Sequence, residues 1–291
     1  MSDPPELTPG HPLFGLGYAK AHATREYLLL DGNARSPHEA EVAEEVPVAF
    51  VYGRRPHVVM MATPADLEDF GIGFTLSEEI VPRLADIVAL TVHPYSQGIE
   101  IQIEIPATAA AALEQRGRQL VGQTGCGLCG VQTIADALRP TRVATARWTL
   151  DPNALWRAEA ALDGWQALNH QTAAVHAAAW ATPEGELRVV REDVGRHNAL
   201  DKVIGALARA GTDPSTGFLV MTSRASYELV QKASVAGIPV LATVSRPTGL
   251  AIRLAEAAGI TLVSLLRGAS ANVYAHPERL ASPRRAPAGD T

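Results

Sequence analysis

Cysteine is nearly absent from this chain: among 291 residues there are two, Cys126 and Cys129. Two thiols three positions apart cannot staple a fold together, so the chain is no disulfide scaffold. In a reducing compartment such a pair serves chemistry more often than stability. Long apolar runs are missing too, and none approaches the roughly 20 residues that span a bilayer. Residues 1–17 carry acidic groups and three prolines between Pro4 and Pro9, with no apolar stretch of the kind a signal or transit peptide needs. The expected compartment is therefore the cytoplasm, with no membrane partner. Aromatic residues make up only 5%, so the core must be built mainly from Ala, Val, Leu and Ile. A basic excess is also lacking: the formal net charge is −6, which argues against a general electrostatic grip on nucleic acid.

What is present is a globular composition, 47% hydrophobic, long enough for one large domain or two smaller ones. Residues 1–44 are polar and broken by Pro and Gly. They read as a tail with one possible strand, Glu26 to Leu30. Val46–Tyr52 and His57–Met61 read as a strand pair joined by Gly53-Arg54-Arg55-Pro56. Thr63 then predicts a helix N-cap, with Pro64 in the first helical position and Asp66 completing a capping box. Leu67, Phe70, Phe74 and Leu76 supply that helix with an apolar face. Ile99, Ile101, Ile103 and Ile105 alternate with polar residues, the period of a half-buried strand, and Ala107 to Leu120 reads as helix. In the second half, Asp151-Pro152 starts a helix running to about Leu168. Strand and helix patterns then alternate: Leu187–Arg191, Arg196–Ala210, Phe218–Thr222, Tyr227–Ala236, Pro239–Val244, Leu250–Ala258 and Ile260–Leu266. Continuous apolar strands separated by helices predict an α/β fold with a mostly parallel sheet. The expected division is a tail over 1–44, a small α+β domain over 45–138 ending in the cysteine loop, an α/β domain over 139–276, and a tail over 277–291.

Two constellations carry chemistry. The first is Gly122-Gln-Thr-Gly-Cys-Gly-Leu-Cys-Gly130, in which four of nine residues are glycine. A sulfur carrier needs a thiolate that attacks a sulfane sulfur, holds it as a persulfide and presents it to an acceptor. Gly125 and Gly127 on either side of Cys126, with Gly122 and Gly130 further out, clear the space for that. A thioredoxin-like dithiol would sit after a strand at a helix start, whereas a helical segment precedes this pair. A zinc site would need two further ligands at usable spacing. His170 and His176, the nearest candidates, stand six apart and fit either support of the cysteine loop or simple packing. A nucleobase deaminase would need H-x-E followed by P-C-x-x-C, and Gly125 stands where the second motif needs its proline, so no catalytic metal is expected.

The second constellation is positional. Ligands of open α/β sheets bind beyond the C-terminal strand ends. The residues expected there are Asp193, Arg196 and His197, then Ser223 and Arg224, then Arg246 and Thr248, then Arg267 and Gly268. An arginine recurs at each end. Guanidinium forks and helix N-termini both suit phosphate, so the expected ligand is an anion such as a nucleotide pyrophosphate. No G-x-G-x-x-G or P-loop pattern accompanies it.

Several long segments together resemble the FdhD/NarQ family of formate dehydrogenase accessory proteins. They are Met61–Phe70, Gly125-Cys-Gly-Leu-Cys-Gly130, Glu192-Asp-Val-Gly-Arg-His-Asn-Ala-Leu-Asp-Lys202, Tyr227–Lys232, Ala236–Val240, and Arg267-Gly268 with Asn272-Val-Tyr274. The resemblance covers most of residues 46–276. It implies a sulfurtransferase that takes sulfur from a cysteine desulfurase as a Cys126 persulfide and passes it to a molybdenum cofactor, bis-molybdopterin guanine dinucleotide, for a formate dehydrogenase client. It implies cofactor contacts along Ser264, Leu265, Leu266, Arg267, Gly268, Ala269 and Ser270, guanine nucleotides as recognisable fragments, and a homodimer. It further implies a cytidine-deaminase-like α/β core without catalytic zinc. Tyr52-Gly53 stands where the family commonly has Asn-Gly, and Thr222-Ser223-Arg224 where it tends to have Ser-Gly-Arg; these departures bear on turn geometry and ligand contact. A non-catalytic cofactor-binding chaperone and a dithiol oxidoreductase remain as alternatives.

Overall fold

The computed structural model describes residues 8–118, 142–144, 146 and 148–281. Strands β1 (His22–Asp31), β2 (Ala34–Ala43), β3 (Val46–Tyr52) and β4 (Arg55–Ala62) precede helix α1 (Leu67–Ser77). Strands β5 (Ala89–Tyr95) and β6 (Gly98–Glu104) and helix α2 (Ala107–Arg118) follow. Further along come α3 (Pro152–Leu162), α4 (Ala167–Thr172), β7 (His176–Ala181), β8 (Leu187–Asp193) and α5 (Arg196–Arg209). The series closes with β9 (Phe218–Met221), α6 (Tyr227–Val235), β10 (Val240–Thr243), α7 (Gly249–Ala258), β11 (Thr261–Arg267) and β12 (Ser270–Ala275).

The described residues form two compact units that interleave along the chain. The first holds 8–118, Gly164–Ala178 and Val189–Asp213; the second holds the remainder. The linear division expected at residue 139 is thereby replaced, because α5, from the second half of the sequence, belongs to the first unit. Its packing on α1 explains why. A Cβ added at Gly73 would overlap the carbonyl oxygen of Asp201, and one added at Gly205 would overlap that of Asp69. Two helices that meet backbone to backbone through reciprocal glycines cannot belong to separate bodies.

The sheet of the first unit has the order β4-β3-β6-β5, with β3 antiparallel to β4 and parallel to β6. Alternation aims Val46, Val48 and Phe50 of β3 and Ile99, Ile101 and Ile103 of β6 into one core, where Phe70 and Phe74 of α1 meet them. Phe50 and Phe70 pack edge to face with centroids 5.0 Å apart. The expected helix start at Thr63 is corrected: α1 begins at Leu67, its N-cap Asp66 has φ 51°, and no side chain caps it. Thr63 is engaged elsewhere, as described below. The expected tail over 1–44 is corrected as well, since β1 and β2 pair over ten residues each as an antiparallel hairpin. Burial periodicity gave no signal there because most of that ribbon is exposed on both faces.

In the second unit β9, β10 and β11 run parallel in register, with Thr243 beside both Met221 and Ser264, and β12 returns antiparallel to β11. The full sheet order is β12-β11-β10-β9-β7-β8. The apolar β9 and β10 are buried at every position, as strands covered on both faces must be. Strand β7, His-Ala-Ala-Ala-Trp-Ala, was not foreseen, because alanine carries no strand preference. It stands between β8 and β9, so the strand after which Asp193 comes is not the immediate neighbour of β9.

The α1–α5 crossing generates a stability prediction. Gly73→Ala and Gly205→Ala should each lower stability by about 3 kcal/mol, because a backbone clash outweighs the ~1 kcal/mol that alanine adds to a helix. Gly249→Ala, whose new methyl would meet only the Arg253 guanidinium at 3.7 Å, should be neutral or stabilising. Urea unfolding of the three variants checks this; a Gly73→Ala variant as stable as wild type would contradict the crossing.

Candidate functional site

The hallmark segment Glu192–Lys202 lies in the first unit, and its centre is closed to solvent. Asp193 and Lys202 are both fully buried and form an ion pair at 2.6 Å. The Asp193 carboxylate also accepts the N–H of Thr63 at 3.1 Å, the N–H of Gly195 at 2.7 Å and the Asn198 amide at 2.9 Å. The Lys202 ammonium donates to the Thr63 carbonyl at 3.1 Å and faces the Phe70 ring. Thr63 Oγ1 accepts the N–H of Val194, which is why this residue does not cap α1. Asn198 donates its amide to the Met61 carbonyl as well. Asp193 therefore positions the backbone between β8 and α5, and its oxygens are taken up by the protein. Asn198 and Lys202 were not singled out as site residues from sequence, and Thr63 was read only as a helix cap. Their signal was present in the hallmark segments, but periodicity does not reveal a buried ion pair.

Around this hub the chain exposes polar groups. Glu192 accepts the N–H groups of Leu168 and Asn169 and so caps α4. Arg196 and His197 open α5, both partly exposed. His176, at the start of β7, is held below the ordinary imidazole value by burial first and then by the neighbouring Arg196 and His197, with Asp193 pulling the other way. His170 lies exposed on α4. A second ionic network ties the same unit together: Asp69, almost fully buried, accepts Arg191 at 2.7 Å and Arg209 at 2.8 Å.

In the second unit the strand ends present a different surface. The ladder continues past β9 and β10: Val244 donates its N–H to the Met221 carbonyl, and Thr248 donates to that of Ala225. These bonds hold the two strand-end loops side by side. Beneath them Thr243 Oγ1 lies 2.7 Å from Ser264 Oγ and donates to the Ser245 carbonyl at 2.9 Å. Ser264 is fully buried, and so, nearly, is Ser223, whose hydroxyl donates to the Arg224 carbonyl. Thr248 Oγ1 accepts the Ala251 N–H and caps α7. Above this hydroxyl floor Arg224, Ser245, Arg246, Thr248, Arg267, Gly268, Ala269 and Ser270 are exposed. Arg224, Arg246 and Arg267 have no ion-pair partner among the described residues. Between β11 and β12 the register shifts from Ser264 to Arg267, and Leu265 takes a left-handed φ of 56° while Leu266 stays buried. A leucine there is strained by about 1–2 kcal/mol.

The structure thus brings together Ser223, Arg224, Arg246 and Thr248 on paired loops, with Ser264 beneath. Cys126 and Cys129 lie outside the described residues. Among the described residues no group of three or more His, Cys, Asp or Glu is placed to hold a metal ion, and no helix is long and apolar enough to cross a membrane.

Comparison with known proteins locates this arrangement. A model of the FdhD/NarQ family matches residues 43–281. The sulfur carrier protein FdhD of Xanthomonas euvesicatoria is 54% identical over 239 residues, covering 82% of this chain and 85% of that protein. The sulfur carrier protein FdhD of Bordetella petrii is 49% identical over the same length, covering 86% of it. Among solved structures, a putative formate dehydrogenase accessory protein from Desulfotalea psychrophila superposes with a TM-score of 0.71 at 25% identity. That match covers 90% of this chain and 100% of the other.

The buried pair makes a prediction of its own. Lys202→Met leaves the Asp193 carboxylate in the interior without its cation and should cost about 3–5 kcal/mol. Adding Asp193→Asn to Lys202→Met should recover part of that loss, since the remaining amide is neutral. Denaturant unfolding of both variants is the measurement; equal losses in the two would show that the charge is not what matters.

Proposed function

Because the chain belongs to the FdhD/NarQ family, we propose that it is a sulfur carrier that serves maturation of a formate dehydrogenase. The observation that carries the reading is the glycine-flanked pair Cys126/Cys129 inside the matched span, in a chain with no other cysteine. In the proposed reaction the Cys126 thiolate attacks the outer sulfur of a desulfurase persulfide. The S–S bond of the donor breaks, its cysteine leaves as thiolate, and Cys126 carries the new persulfide. Cys129 then relays that sulfur: its thiolate attacks the outer sulfur, Cys126 leaves as thiolate, and the persulfide now on Cys129 faces the acceptor. The acceptor is a molybdenum cofactor bearing guanine dinucleotides, bound as substrate. Its diphosphates are held at the strand ends of the second unit by Arg224, Arg246 and Arg267, with the segment Ser264–Ser270 alongside. Within the first unit, Arg196 and His197 are read as anion contacts in their own right, and Asp193 acts by positioning them. Three exposed arginines with no acidic partner among the described residues, over a floor of hydroxyls, support this assignment, because a diphosphate needs several donors at once. Catalysis requires no zinc in this scheme, and the polypeptide core is of the cytidine deaminase kind.

Two experiments test it. Incubation with a cysteine desulfurase and cysteine should add sulfur to the wild-type mass and none to Cys126→Ala, which should also fail to activate the client dehydrogenase; Cys129→Ala should lose activity only in part. An unmodified wild-type mass would favour a non-catalytic chaperone, and reversible Cys126–Cys129 disulfide turnover a dithiol oxidoreductase. Separately, calorimetric titration with GDP should show Arg246→Ala weakened about tenfold to a hundredfold, with Arg246→Lys recovering only part because lysine keeps the charge and loses the fork. Equal binding by all three proteins would remove the arginine edge from the proposal.

A further inference from the structure

After β12 the chain turns back across the second unit and is tied down there. The Arg279 guanidinium donates to the Gly259 carbonyl at 2.9 Å and to Thr261 Oγ1 at 2.8 Å. Thr261 Oγ1 in turn donates to the His276 carbonyl at 2.9 Å. The His276 ring completes the arrangement. Its Nδ1 lies 2.7 Å from Glu278 Oε1, and its Nε2 lies 2.9 Å from the Glu256 carbonyl oxygen of α7. An ionised carboxylate and a carbonyl can only accept. A neutral imidazole has one N–H, so it satisfies one of the two and turns a lone pair on the other; only the imidazolium donates to both. In keeping with this, the ring is held above the ordinary imidazole value by the Glu256 carbonyl first and the Glu278 carboxylate next, against partial burial and the Arg279 charge.

Strand β12 leans on this anchor. It meets β11 at four positions, and the register slips between Leu262 and Val263 and again between Ser264 and Arg267. Of its six residues only Ala275, next to His276, is buried. Little apolar burial therefore holds the strand, and the Ala275 end is its fixed end. The other end joins the turn Arg267–Ser270 at the strand-end surface. We propose that His276 is a pH-sensitive clasp: as imidazolium it locks the end of β12 to α7 and keeps Arg267–Ser270 ordered, and on losing a proton it lets β12 and that turn loosen. The charged groups facing the ring are Glu278 and Arg279 of its own segment; α7 offers the Glu256 carbonyl, and β11 the neutral Thr261. A histidine raised in the folded state stabilises fully below its unfolded value of about 6.5, and that stabilisation is lost as pH rises through the higher folded value. The clasp is thus closed in mild acid and opens toward alkaline pH. Its bearing on ligand binding rests on the strand-end reading, whereas its effect on β12 does not.

Hydrogen exchange of the full chain tests this without reference to sulfur transfer or nucleotide. It is read by mass spectrometry on peptides spanning residues 267–275 and corrected for the intrinsic exchange rate at each pH. Between about pH 5.5 and about pH 8.5, wild type should lose protection there by about tenfold, the worth of one charge-assisted hydrogen bond. His276→Asn suits the left-handed φ of 49° at this position and does not titrate, so it should show the same low protection at both ends of the range. Glu278→Gln should move the wild-type transition to lower pH, because the ring loses its anionic acceptor. Wild-type protection that does not change with pH overturns the proposal, and so does a change of equal size in His276→Asn. Should His276→Asn fail to fold, Glu278→Gln decides, and a transition left at the wild-type pH overturns the clasp.

Discussion

The first unit depends on one carboxylate. Asp193 lies out of water at the end of β8, and a lone charge there would be prohibitively costly, so every one of its contacts must be supplied by the fold. Four donors supply them: the Thr63 and Gly195 N–H groups, the Asn198 amide and the Lys202 ammonium. Those donors come from the segment after β4 and from the first two turns of α5. The carboxylate therefore fixes where α5 begins, and through it which way Arg196 and His197 are presented. Reciprocal glycine contacts between α1 and α5 then leave the helix no freedom to slide.

The strand-end surface of the second unit is built on another principle. Its floor is neutral: the hydroxyls of Thr243, Ser264 and Ser223, each satisfied locally. Its charge sits on exposed arginines that have no acidic partner among the described residues. A guanidinium already paired with a carboxylate would have to be released before it could meet an anion. Unpaired arginines on loops whose backbones are bonded to each other are ready without that cost.

Much of the fold was legible from local pattern. Alternating isoleucines marked β6, and apolar runs marked β9, β10 and β11. What failed, failed for physical reasons. Thr63 has the chemistry of an N-cap, yet its hydroxyl is claimed by Val194, far away in sequence. The β1–β2 hairpin buries little, so it shows no period. Strand β7 is alanine-rich and so carries no strand signal. At the site, Arg224, Arg246 and Thr248 were legible as strand-end residues, whereas Asp193 read as a ligand contact and is instead an interior support.

From the sequence alone came the class of the fold, the isolated glycine-flanked thiol pair, the recurrence of arginine at strand ends and the family, because each is a local pattern or a motif held in one stretch of chain. Tertiary structure alone decided that α5 belongs with α1, that Asp193 and Lys202 neutralise each other in the interior, and that Thr243 and Ser264 share a hydrogen bond beneath Arg246. Each of those depends on groups brought together from distant positions, and burial turns such a meeting from an option into a requirement: an unpaired charge or hydroxyl away from water has no other partner to find.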